Sequence, residues 1–250
     1  MSIQIEFLEN LPSLKRLKLP TRYYHFNDGE NYIKLLSVGE GIFPKDRIQT
    51  SIKLENSSCV ITTESATKVY PSTHTFGINR LNFTLKQKAN LEYINDELIL
   101  YSKAKFIQLV NFKVDSNATF FYVDVMSSGR SFEYFDFTQL KMRNRFVIDD
   151  ELEYFENFSV NGSELKSYFE RHGSDEYYFA KIYIKSPDNE FLKEYLRKLG
   201  FAAFGQTRNK QILLSVLSNH KISDLKESIL TVWNAYRQQL NKSPFDLGKA

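Results

Sequence analysis

The chain has 250 residues, 42% of them hydrophobic and 25% charged, so it is long enough to bury a large core. Lys and Arg number 33 against 30 Asp and Glu, and a net charge of +3 is too small to indicate by itself a field that gathers nucleic acid or an anionic membrane. The single cysteine, Cys59, excludes an internal disulfide, and no apolar run approaches the ~20 residues that span a bilayer. We therefore expect a cytoplasmic protein whose partners are neither nucleic acid nor membrane.

The first part of the chain predicts strands in a repeating unit. Apolar and polar residues alternate over residues 48–55, which is the period of a half-buried strand, and a polar turn follows. The arrangement recurs with Phe83 and then Phe112 in the place of Ile52 (83 − 52 = 31 and 112 − 83 = 29), and a degenerate fourth copy begins at Phe146. Such periods are typical of stacked solenoid units, but the regular hairpins of a β-sandwich fit them equally well.

Beyond these repeats the pattern changes to mixed helices and strands. A helix is predicted from Asn189 to Leu199, because leucines recur on one face and Gly200 follows. The strongest helix is predicted from Ser223, which we expect to be its N-cap. We therefore predict a single domain over residues 1–250, with a β-rich body over about 1–160 and a mixed helix and strand part over about 161–250.

Motifs of the common enzyme classes are missing from the sequence. No GxxxxGK[ST] or GxGxxG loop, GxSxG elbow, HExxH or C-x-x-C occurs, so nucleotide-binding, serine hydrolase, zinc protease and redox functions lack their residues. Asp124 lies within an apolar strand pattern. An acid there is costly unless it is paired, hydrated or lining a polar passage. A solvent-facing position on a half-exposed strand is the alternative.

Several blocks carry a resemblance to a known family. The longest is Thr62 to Tyr70, which reads Thr-Thr-Glu-Ser-Ala-Thr-Lys-Val-Tyr, and Asp124 ahead of Gly129-Arg130 follows in the expected order. Together with Trp233 and Arg237 in the last helix, they resemble the UreD (also called UreH) family of urease accessory proteins over roughly residues 35–240. The residues that carry the family motif are Thr63, Lys68, Tyr70, Gly129 and Arg130.

The resemblance implies a mainly β, two-layer, β-helix-like body with a few helices in the C-terminal part. It also implies a non-catalytic scaffold that, with UreF and the GTPase UreG, binds apo-urease and helps to deliver nickel to its active site. No cofactor would be bound stably, nickel would be in transit, and GTP would be bound only by UreG. The acids that the family pattern would place along the nickel route are Asp46, Asp124 and Glu133, with Glu64 as a weaker candidate.

Two other classes remain open on the residues alone. A β-sandwich that binds a ligand or carbohydrate would need a row of exposed aromatic side chains, whereas Phe83, Phe112 and Tyr122 fall on the inward alternation. A hydrolase would use Asp124 and Glu133 as paired carboxylates, and one of their pKa values would have to be raised relative to the other.

Overall fold

The structure is a computed structural model that describes residues 2–37, 40–173, 177–201 and 203–249. The strands of the N-terminal part are β1 Ser2–Leu8, β2 Leu11–Lys18, β3 Thr21–Asp28, β4 Glu30–Ser37, β5 Arg47–Glu55, β6 Ser58–Thr63, β7 Thr67–Val69, β8 Gly77–Lys86, β9 Asn90–Ile94, β10 Leu98–Leu100, β11 Lys105–Val114, β12 Thr119–Ser127, β13 Gln139–Ile148 and β14 Glu151–Val160. The later elements are α1 Gly162–Arg171, β15 Tyr178–Lys185, α2 Asn189–Lys198, β16 Phe204–Gln206, β17 Leu213–Asn219 and α3 Ile222–Gln239. None of these helices is long and apolar enough to cross a membrane.

The strands form two facing sheets. Sheet A has the order β14-β13-β11-β8-β5-β1-β2, and the main path of sheet B has the order β16-β17-β15-β12-β9-β6-β4-β3. Strands β1, β5, β8, β11 and β13 are parallel, as are β4, β6, β9 and β12, because the chain crosses from sheet A to sheet B and back once in each coil. Short strands β7 and β10 also belong to sheet B but lie off its main path, where β10 pairs with both β7 and the end of β12. The molecule is therefore a β-solenoid, which confirms the two-layer, β-helix-like prediction and excludes a sandwich of hairpins.

The predicted repeat register is confirmed residue by residue. Ile52 lies beside Phe83, Phe83 beside Phe112 and Phe112 beside Phe146, and Ile5 of β1 extends this row, which we call the aromatic ladder. The ring centroids of Phe83 and Phe112 are 4.5 Å apart, and those of Phe112 and Phe146 are 4.9 Å apart. All five side chains are buried, because the same position of every coil points between the sheets. The ladder thus fills the middle of the core.

Helices α2 and α3 pack together against sheet B on the face away from sheet A. Leu225, Ile229, Val232 and Tyr236 form the apolar face of α3 and are buried against that sheet. The prediction that Ser223 is the N-cap was wrong, because α3 begins at Ile222 and Lys221 occupies the cap position. The Ser223 hydroxyl instead donates to Asp224 Oδ1 at 2.8 Å.

Candidate functional site

A cavity of about 190 Å³ lies between the two sheets, beside the aromatic ladder. Its walls come mainly from the first residues of the sheet A strands and the last residues of the sheet B strands, on the side where the chain returns to sheet A. It reaches the surface beside the exposed residues Glu40, Ser65 and Lys68. Its polar lining includes Thr50, Thr63, Asn79, Asn95, Asp96, Gln108 and Asp124.

The cavity follows from a change of side-chain type along the sheet A strands. Four residues before the aromatic ladder, the inward row consists of Ile48, Asn79, Gln108 and Met142. These side chains do not fill the space between the sheets as the aromatic rings do, and two of them carry amide groups. Burying an amide is costly unless it is hydrogen-bonded or hydrated, so this row favours a wet cavity over a dry core.

Asp124 is a buried carboxylate in the wall of this cavity. Its Oδ1 accepts hydrogen bonds from the Tyr122 hydroxyl at 2.5 Å and from the Gln108 amide at 3.0 Å. Its Oδ2 is buried and has no hydrogen-bond partner in the described part of the chain. Burial raises the pKa of Asp124 to about 6, although the two hydrogen bonds and the charge of Lys181 oppose the rise. At neutral pH the carboxyl is therefore mostly ionised, and Oδ2 is its oxygen without a hydrogen-bond partner among the described residues.

A second polar cluster lies next to Asp124 in the core. Glu156 accepts hydrogen bonds from the Tyr183 hydroxyl at 2.7 Å and from the Asn144 amide at 3.1 Å, and it forms an ion pair with Lys181. Burial alone would raise the pKa of Glu156, but the hydrogen bond and charge of Lys181, with help from Tyr183 and Asn144, hold the pKa below its ordinary value. Lys181 is therefore already paired, and it neutralises Glu156 rather than Asp124.

The oxygen atoms that line the cavity are of types that suit transient contact with a divalent cation. Three acids in the described part of the chain line the cavity, namely Glu40 at the opening, Asp96 and Asp124, and Asp96 already bonds Lys249 at 2.6 Å and Lys226 at 3.3 Å. The other polar side chains of the lining are mainly amides and hydroxyls. Their oxygen atoms are ligands that hard and borderline divalent ions accept. Among the described residues, no three His, Cys, Asp or Glu form a group that could hold a metal ion.

Of the four acids predicted along a metal route, the structure places Asp124 in the cavity wall. Asp46 lies in the turn before β5, where its Oδ2 accepts a hydrogen bond from the Phe43 N–H at 2.9 Å. Glu64 is exposed directly after β6, 3.8 Å from Lys34, and the residues on either side of it line the cavity. A role for Asp46 or Glu64 in the route stays a prediction.

The Gly129-Arg130 motif shapes the loop that holds the fourth acid, Glu133. A Cβ on Gly129 would overlap the Glu133 side chain, and the backbone N–H of Arg130 donates to Glu133 Oε2 at 3.2 Å. The Arg130 guanidinium lies 3.7 Å from Glu133 Oε1 and 4.9 Å from the ring centre of Tyr101. Glu133 is thus held by its own loop and shares no bonding partner with Asp124 in the described structure. Glu133 is not among the residues that line the cavity with Asp124, and a role for Glu133 in the route stays a prediction.

The other motif residues build the wall and the opening of the cavity. The Thr63 hydroxyl donates to Asp96 Oδ2 at 3.3 Å and accepts from the Asp96 N–H at 2.9 Å, which fixes the loop after β9. Lys68 lines the opening, and the ring of Tyr70 stacks on Phe43 with centroids 4.4 Å apart. Thr63 and Lys68 therefore line the cavity, whereas Tyr70 packs on Phe43 outside the lining.

A buried ion-pair cluster on the other face of sheet B was not predicted from the sequence. Glu92 Oε2 accepts hydrogen bonds from Trp233 Nε1 and Arg237 Nη1, each at 2.6 Å, and Glu92 Oε1 accepts from Lys242 at 2.7 Å. Arg237 also pairs with Glu30. Burial alone would raise the pKa of Glu30, but Lys242 and Arg237 hold it below its ordinary value. The sequence places Glu92 in a strand and Arg237 in a helix, but their separation of 145 residues hides the contact.

These features define a β-solenoid scaffold with a polar cavity between its sheets. The family model described as "UreD urease accessory protein" matches residues 16–247. A urease accessory protein UreD of Aliarcobacter butzleri (strain RM4018) is 53% identical over 251 residues, which cover 100% of both chains. A urease accessory protein UreD of Staphylococcus aureus (strain JH9) is 27% identical over 195 residues, which cover 74% of this chain and 68% of the relative. The chain belongs to the UreD family of urease accessory proteins.

Proposed function

We propose that this protein is a non-catalytic cytoplasmic scaffold that binds UreF, the GTPase UreG and apo-urease, and that nickel passes through its inter-sheet cavity toward urease. The observation that carries the proposal is the buried Asp124 carboxylate, which has an unpartnered oxygen in a polar cavity. Membership of the urease accessory family supports the rest. In this proposal GTP is bound and hydrolysed by UreG.

Asp124 would attract a nickel ion without trapping it. Tyr122 and Gln108 both bond Oδ1, so Oδ2 is the oxygen left for the ion. A single charge at contact distance is worth about 4 kcal/mol at an effective dielectric constant of about 20, which is enough to draw a cation inward. Neutral amides such as Asn79 continue the lining but hold the ion weakly, so it can move on.

The carbohydrate-binding alternative finds no support in the core aromatics. Phe83, Phe112 and Tyr122 are at most 1% exposed, so they cannot stack on a sugar. The scaffold proposal accounts for these side chains as packing that holds the sheets apart beside the cavity.

The experiment measures urease activation by nickel and GTP, using complexes of UreF, UreG and apo-urease with this protein carrying Asp124→Asn. The amide keeps the shape and the hydrogen-bond acceptor but removes the charge, so we expect unchanged assembly and activation reduced by at least about tenfold. The matched control is Glu227→Gln, which removes one charge from an exposed position on α3. That control should activate urease like the wild type.

Two results would contradict the proposal for Asp124. Full activation by Asp124→Asn would remove Asp124 from the route, and loss of assembly in pull-down would make it a structural residue. Asp46→Asn, Glu64→Gln and Glu133→Gln belong in the same assay, because reduced activation with intact assembly would extend the route to those surface acids.

A further inference from the structure

Strand β2 is the last strand of sheet A, and its outer edge has no partner strand in the described part of the chain. Its Leu17 lies beside Ile3 and its Leu14 beside Ile5, so both leucines face the space between the sheets. Ile3 and Ile5 are buried, but Leu14 and Leu17 are 44% and 42% exposed because no further coil covers them. The solenoid therefore ends in an open edge with an uncovered apolar inner side.

The opposite side of the same strand is basic. Arg16 and Lys18 border a groove of about 340 Å³ on the outward face of sheet A, together with Arg47 and Arg80. Lys18 and Arg80 lie on one row across the sheet, with Ser2 of β1 and Gln49 of β5 between them. No acid lines this groove, and Arg16, Lys18 and Arg80 have no acidic partner among the described residues. The net charge of +3 thus conceals a local concentration of cations.

We propose that β2 is a docking edge for an extended acidic segment of a partner protein, which adds to sheet A as a further strand. Successive side chains of a strand point to opposite faces. A segment that alternates apolar and acidic residues would cover Leu14 and Leu17 with one set of side chains and bring carboxylates to Arg16 and Lys18 with the other. Its backbone would satisfy the open hydrogen-bonding groups of β2.

The geometry favours this occupant over three others. The leucines and the cations lie on opposite faces of β2, so a flat membrane surface or a nucleic acid would meet one set and leave the other uncovered. A second copy pairing through its own β2 would place Arg16 and Lys18 of both copies along one seam, with no acid in either β2 strand to neutralise them. An added strand that alternates apolar and acidic residues covers the leucines with its apolar side chains and pairs the cations with its carboxylates.

The probe is a synthetic peptide as long as β2 in which valine and glutamate alternate, and its control is a shuffled peptide of the same composition. Binding to the full chain is measured by fluorescence anisotropy. We expect the alternating peptide to bind more tightly than the shuffled one, and the double variant Arg16→Glu, Lys18→Glu to weaken it by at least about tenfold, because two attractive contacts become repulsive. Leu14→Ser should also weaken it. Lys113→Glu, an exposed charge on another strand of sheet A, should not.

Hydrogen exchange provides a second measurement, because strand addition should slow exchange of the β2 amides on binding. Equal binding of both peptides, no binding of the alternating one, or unchanged β2 exchange would overturn the proposal. Tighter binding to anionic vesicles or to a single-stranded oligonucleotide, dependent on the cations but not on Leu14, would also overturn it. These measurements contain no nickel, so they can fail independently of the transit proposal.

Discussion

Replacing Asp124 with Asn should make the protein more stable at neutral pH. The pKa of this carboxyl is raised from 3.8 to about 6, so the folded state binds the proton more tightly than the unfolded state. The stability that the group contributes is therefore fully present at pH values below its unfolded pKa and is lost as the pH rises through about 6. Raising the pKa by about 2 in the folded state lowers the free energy of unfolding by about 3 kcal/mol at neutral pH.

Asn retains most of the local hydrogen bonding. Its carbonyl oxygen can still accept from Tyr122 and Gln108, and its amide nitrogen replaces the Oδ2 atom that has no partner. The new N–H donors offset part of the stability gained by removing the charge, because a buried donor without a partner lowers the free energy of unfolding by about 1–3 kcal/mol. We therefore expect Asp124→Asn to raise the free energy of unfolding by about 1–2 kcal/mol at neutral pH, in a protein whose ability to activate urease falls.

The assay is equilibrium denaturant unfolding of the wild type and the variant from about pH 4.5 to about pH 7.5, compared as a difference at each pH. The variant's advantage should be smallest at the acid end and should grow as the pH rises through 6. Glu227→Gln should show no such trend. A difference that is constant with pH, or a variant that loses stability relative to the wild type as the pH rises, would refute the reasoning about burial.

Three further substitutions test the packing. Arg237→Ala leaves Glu92 buried without its main cation. We expect it to lower the free energy of unfolding, measured with denaturant, by about 3–5 kcal/mol. A loss below about 1 kcal/mol would show that Lys242 alone neutralises Glu92. Gly162→Ala would place a Cβ on the carbonyl oxygen of Phe135 and should cost at least about 1–3 kcal/mol, seen as a lower Tm; an unchanged Tm would contradict that overlap. Phe112→Ala should cost about 3–5 kcal/mol, and a much smaller loss in urea unfolding would mean that the ladder collapses around the gap.

The solenoid register was predictable because each coil repeats one simple constraint. Alternation decides which face of a strand is buried, and the similar coil lengths place Ile52, Phe83, Phe112 and Phe146 on one row. The acid Asp124 could be singled out as costly in an apolar strand. Its partners could not be named, because Gln108 reaches it from the opposite sheet and neighbouring sequence does not encode that approach.

The contacts of the C-terminal part were harder to predict. Glu92 and Arg237 each suggest a solvated charge when read locally, and their bond depends on how α3 lies across sheet B. The N-cap of α3 was misplaced by two residues, at Ser223 instead of Lys221, because Ser223 bonds the neighbouring Asp224 side chain instead of capping the helix. The cations around β2 were hidden in a balanced total charge, since composition carries no information about which face a residue occupies.

The Arg237 cluster also affects how the molecule unfolds. Coils of a solenoid touch only their neighbours, so such an array frays from its ends unless something spans several coils. Arg237 joins Glu30, at the start of β4, to Glu92 in β9, and strand β6 lies between these two strands in sheet B. Lys242 bonds both acids as well. Arg237 and Lys242 therefore form a brace between coils that do not touch. A truncation before Arg237 would turn one cooperative transition into stepwise loss of coils.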